Sequence, residues 1–146
     1  MKNQVVVLGR NYSSVLGMIR AAGMAGYEVT VVRTVKKIPK TSGVKAWMRG
    51  APIESKSKYV KKYLYGIEPK GREIIDMLVK EFSEFQGKII LLPTDDFTAS
   101  AIDLNQDLFD ERFLYPNIQR KSGAIVAIMD KHKQKLVAIE AGLNVA

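Results

Sequence analysis

Residues 4–32 read QVVVLGRNYSSVLGMIRAAGMAGYEVTVV, and this stretch decides the fold. Gln4-Val5-Val6-Val7-Leu8 is an unbroken apolar run rich in β-branched residues, the pattern of a parallel strand buried on both faces. Gly9-Arg10-Asn11-Tyr12 reads as a turn, and Ser13 or Ser14 is placed to cap a helix. Val15, Leu16, Met18, Ile19, Ala22 and Met24 give that helix its apolar positions, and Gly26 ends it. Glu28-Val29-Thr30-Val31-Val32 is a second strand. Strand, helix and strand in about thirty residues make a βαβ unit, which closes right-handed.

The same alternation continues outward. Lys58 to Tyr65 favours a strand, and its lysines place it near a sheet edge. Ile74, Ile75, Leu78, Val79, Phe82 and Phe85 recur at helical spacing between Gly71 and Gln86. Lys88 to Leu92 is another buried strand. Asp95 or Thr94 then caps a helix through Ala99, Ile102 and Leu104. Phe113 to Pro116 reads as a short strand, Ser122 to Met129 as a short helix, and Asp130 to Ala141 as a helix capped by Asp130 and stopped by Gly142. Between them, Thr34 to Ser57 is irregular, with a possible helical turn over 44–48. The fold class is therefore α/β: one domain, a Rossmann-like doubly wound parallel sheet with helices on both faces.

Composition narrows the function classes. With no cysteine and one histidine among 146 residues, disulfides and thiolate or His-based metal sites are not expected. The apolar runs are strand-length, far short of a membrane span. Met1-Lys2-Asn3 leads straight into the first of them, so no signal peptide is expected, and a cytoplasmic location follows. The net charge of +8 is concentrated: Arg33 to Arg72 holds twelve Lys/Arg against two acids, Glu54 and Glu68. A basic middle suits either a solvated connection or an anionic ligand. No aromatic or Gly-rich nucleic-acid motif accompanies it, so no nucleic-acid partner is expected. Trp47, inside this stretch, reads as a local packing anchor.

Open α/β sheets bind ligands beyond the carboxyl ends of their strands. Two loops lie there. In the first, Gly9 permits close approach to the backbone, Arg10 offers a donor fork for a carboxylate or phosphate, and Ser13 and Ser14 add hydroxyls next to a helix N-terminus. In the second, Thr94, Asp95 and Asp96 offer a hydroxyl and two carboxylates, as substrate contacts or as a helix cap. The dinucleotide fingerprint G-x-G-x-x-G is absent, and Arg33 stands where the ribose-binding acid would be. His132 is expected on the exposed side of the last helix.

Four segments in order, VVVLGRNYSSVLGMIRAAGMAGYEVTVV, SKYVKKYLY, KIILLPTDDFTASAI and MDKHKQKLVAIEAGLNVA, resemble the N-terminal domain of the ATP-grasp superfamily, in its carboxylate–amine ligase branch. The resemblance implies a pre-ATP-grasp substrate domain over 1–121 and a helical connection over 122–146 that leads toward a central ATP-binding domain. It implies an ATP-dependent ligase acting through an acylphosphate, of which this chain is an N-terminal fragment, inactive alone. Gly9, Arg10, Asn11, Ser13, Thr94, Asp95 and Asp96 would line the pocket of an anionic carboxylate substrate, and Lys131 would reach ATP phosphates. ATP and Mg2+ would be held by the longer parent, with no cofactor tightly bound to this chain. A domain normally covered by others exposes apolar surface, so a homo-oligomer is expected. The competing reading is a free-standing Rossmann-like module that binds a small molecule or nucleotide.

Overall fold

The computed structural model describes residues 3–10, 12–37 and 52–144. The expected turn over 44–48, Trp47 and Asn11 lie outside the described residues. Five parallel strands form one sheet: β1 (Gln4–Gly9), β2 (Glu28–Val35), β3 (Val60–Ile67), β4 (Ile89–Pro93) and β5 (Phe113–Leu114). Their order is β3-β2-β1-β4-β5, so the chain reverses direction across the sheet between β1 and β4. The helices are α1 (Tyr12–Met24), α2 (Gly71–Glu81), α3 (Asp96–Leu104), α4 (Ala124–Met129) and α5 (Lys131–Glu140).

The strands bury both faces because their side chains alternate. Val5, Val7, Val29 and Val31 pack against Val15, Ile19 and Ala22 of α1. Val6, Leu8, Val32, Ile89 and Leu91 pack on the other face against Ile74, Ile75 and Leu78 of α2 and Ile102 of α3. Each of the valines, leucines and isoleucines contributes about 1.5–3 kcal/mol by leaving water. The faces are unequally covered. Ile90 and Leu114 are in register on adjacent strands, and Leu114 is exposed. Beside them Met18, Tyr27, Ile90 and Leu92 surround an apolar depression of about 360 Å³.

Several boundaries differ from the sequence expectation, each for a local reason. Only two residues separate β1 from α1, so Ser13 and Ser14 lie inside the first helical turn rather than at its cap. β3 starts and ends two residues late, with an irregularity that sets Thr30 against Lys62. α2 stops at Glu81, short of Gln86. Just past its end the Arg112 guanidinium donates to the carbonyls of Phe82, Ser83 and Phe85, at 3.1, 3.2 and 2.5 Å. β5 ends two residues before Pro116. α4 begins at Ala124, after Gly123 at φ +79°.

The last helices hang on few groups. Asp103 is fully buried, accepts from Gln106 Nε2 at 2.8 Å and from the Val126 backbone N–H at 3.0 Å, and thereby docks α4 onto α3. Asp130 caps α5, accepting from the backbone N–H groups of His132 and Lys133. At the far end the Leu143 N–H donates to Ala138 and that of Gly142 to Ile139, a Schellman closure with Gly142 at φ +76°. No residue of α5 is buried, and Leu136, Val137 and Ile139 are about half exposed. Among the described residues no helix is long and apolar enough to cross a membrane.

Candidate functional site

The reversal between β1 and β4 places the two loops side by side, as the sheet order requires. The Leu8 carbonyl, at the end of β1, accepts the Thr94 N–H at 2.8 Å and the Thr94 hydroxyl at 2.9 Å. The buried Thr98 hydroxyl lies 3.3 Å from the same oxygen. Asp95 joins the loops. Its Oδ1 accepts the Thr98 N–H at 2.9 Å and caps α3, and its Oδ2 accepts the Arg10 N–H at 2.8 Å.

These contacts change what the candidate residues do. A Cβ on Gly9 would lie 1.7 Å from Thr94 Oγ1. Thr94 fills the space that a side chain at position 9 would need. Thr94 and Asp95 spend their polar atoms on Leu8, Arg10 and Thr98. Asp96 is exposed in the first turn of α3, and Ser13 is exposed in that of α1. Asn11 lies outside the described residues. Lys131 is exposed at the start of α5, which packs along α4, and no described hydrogen bond or ion pair links it to the loops. His132 is exposed as well.

The structure adds one residue that sequence reasoning left out. Glu68, just past β3, meets Arg10 Nη1 at 3.3 Å, with the arginine side chain 56% exposed and the glutamate 12%. Glu68 and Glu54 are the two acids of the basic stretch from Arg33 to Arg72, and each pairs with an arginine. An acid isolated among so many cations was the available signal. Glu54 is buried, accepts from Arg33 Nη1 at 2.5 Å and from the Tyr63 hydroxyl at 3.1 Å. Burial first, then the Glu54 charge, holds the Tyr63 hydroxyl well above the ordinary tyrosine range, against the opposing pull of Arg33. β2 runs on to Val35, so Arg33, paired with Glu54, lies inside the strand rather than at its end as expected.

The donor fork of Arg10 therefore lies beside the Glu68 carboxylate, on the β2 side of the end of β1. It fits an anionic group. Among the described residues no three acids or histidines converge on one point. The chain matches no protein-family model and no curated protein.

Proposed function

We propose that the chain is the substrate-side domain of an ATP-dependent carboxylate–amine ligase, holding a carboxylate at Arg10 beside the end of β1. The observation that carries the binding site is Arg10. It is the exposed cation at the switch point of a doubly wound sheet, and its backbone and side chain are fixed separately by Asp95 and Glu68. The ligase reading rests on the likeness of four ordered segments to the pre-ATP-grasp domain. The exposed apolar side of α5 and the uncovered half-face beside β4 support a domain that packs against further protein, including a second copy.

In this scheme the chain's own work is positioning. Arg10 would pair with the substrate carboxylate, and the strand ends would hold that group where a phosphoryl donor reaches it. ATP and Mg2+ would supply activation from elsewhere in the parent, with Lys131 as this chain's contact to phosphate. The test is phosphate release from Mg-ATP by the product of the whole reading frame. Release is expected only with both a carboxylate and an amine present, and Arg10→Ala is expected to raise the carboxylate requirement at least about tenfold. A reading frame with no ATP-binding segment beyond Ala146 refutes the ligase reading. The free-standing binding module then takes its place.

A further inference from the structure

Between Lys36 and Ile67 nine Lys/Arg accompany one acid, Glu54. Glu54 is 2% exposed and is spent inward on Arg33 and Tyr63, so it does not screen the surface. Part of this charge frames a cavity. Leu16 and Arg20, one turn apart and hence on one face of α1, form one wall. A 3-10 turn, Ile53–Lys56, packs on α1 and forms the other wall together with Ser57 and Lys58. The space between them is about 360 Å³, the size of a small-molecule site. Three cations line it and no acid does. Among the described residues no carboxylate pairs with Arg20 or Lys58. Like charges around one hollow repel, and an anion between them relieves that repulsion.

The walls are held in place by the fold itself. Gly23 lets the Tyr59 ring lie directly on α1, and Lys58 Nζ stands 5.1 Å from the centroid of that ring. Val60 then enters β3 opposite Val29, at the amino end of the sheet. Arg10 lies past the carboxyl end, and the six residues of β1 separate the two ends by roughly 20 Å.

We infer that this cavity is a second ligand site, for a phosphorylated small molecule: Arg20, Lys56 and Lys58 take the phosphate, Ser57 offers its hydroxyl, and Leu16 and Ile53 cover an apolar part of the ligand. The site does not depend on the ligase reading. Three cations suit a dianion better than a single carboxylate, and the arginine fork matches phosphate oxygens. A nucleic-acid strand suits the site less well, because the Tyr59 ring is taken up by Gly23 and Lys58 and is not open to stack a base.

Phenyl phosphate, inorganic phosphate and benzoate test this. The second lacks the apolar body, and the third lacks the second charge. Each is titrated into the 15N-labelled 146-residue chain at about pH 8, where a phosphate monoester carries about two charges, and the amides of Arg20, Lys56, Ser57 and Lys58 are followed. Phenyl phosphate is expected to saturate these amides and to bind at least about tenfold more tightly than either other probe. Arg20→Ala and Lys58→Ala are each expected to weaken it about tenfold with an unchanged urea midpoint, since both side chains are exposed. Unchanged affinity in both variants, or shifts spread over all the lysines without saturation, means loose counter-ions and overturns the inference. Benzoate binding as tightly as phenyl phosphate overturns the phosphate assignment. Tighter binding of a single-stranded oligonucleotide through the same amides overturns it in favour of a nucleic-acid track.

Discussion

Helix α1 contains two glycines that should respond oppositely to the same change. Gly17 is exposed, and a Cβ added there meets nothing within 4 Å. Gly17→Ala should therefore deliver the helix-propensity gain alone, about 0.5–1 kcal/mol. Gly23 lies one residue before the end of the helix, against the ring of Tyr59. A Cβ there would stand 2.2 Å from Tyr59 Cγ, 2.4 Å from Cδ1 and 2.5 Å from its Cβ. Ordinary carbon contacts are about 3.5–4.0 Å, so the ring must retreat by more than about 1 Å. Its own Cβ is among the clashing atoms, so a torsion change alone cannot relieve the overlap, and the backbone leading into β3 must move. Overpacking of this kind costs about 1–3 kcal/mol or more and outweighs the propensity gain. The two variants should therefore differ by roughly 1–3 kcal/mol in urea unfolding followed by circular dichroism, with an unchanged slope. Tyr59→Ala should cost the Gly23→Ala background less than it costs the wild type, a coupling visible in a double-mutant cycle. Finding Gly23→Ala as stable as the wild type would refute the reasoning.

Other expected outcomes concern single side chains. Asp95→Ala removes the α3 cap and the acceptor for the Arg10 N–H, so it should cost about 2–4 kcal/mol; a loss below about 0.5 kcal/mol in the same assay would show that water replaces both bonds. Tyr63 holds its proton in the folded state above the pH at which an unfolded tyrosine, near 10.0, releases it. The unfolded chain then binds fewer protons than the native one, so this contribution to stability is intact below pH 10 and declines as pH rises beyond it. Tyr63→Phe should flatten that alkaline decline relative to the wild type, and ionisation of Tyr63 near its ordinary pH in the folded protein, by ultraviolet absorbance, would contradict it.

The strands and helices were legible because their signals are local. The valine run of β1, the apolar spacing of α2 and the caps at Asp95 and Asp130 all lie within a few residues of what they determine. Two failures came from partners distant in sequence. The segment after α2 is tied to Arg112, thirty residues on from Phe82, and no window along the helix contains that information. The role of Gly9 depends on Thr94, and that of Arg10 on Glu68 and Asp95, all brought together only by the parallel order of the sheet. The loops were placed at the ligand end by topology, while the division of each side chain between scaffold and ligand was not readable. Asp95 looked equally suited to capping and to substrate; in the fold it caps α3 and accepts the Arg10 N–H. Glu68 was visible as an oddity of charge, without a position that gave it meaning.

The fit of Thr94 into the space above Gly9 has an evolutionary consequence. The two positions behave as one heritable unit, since any side chain at 9 requires 94 to give up the volume it occupies. A library randomised at both positions and selected for folding should return correlated pairs, with glycine at 9 whenever 94 carries a branched residue. Loop diversity at this end of the sheet is therefore constrained to positions such as Arg10, Glu68 and Asp96, where a new ligand preference can arise without first rebuilding the joint between β1 and β4.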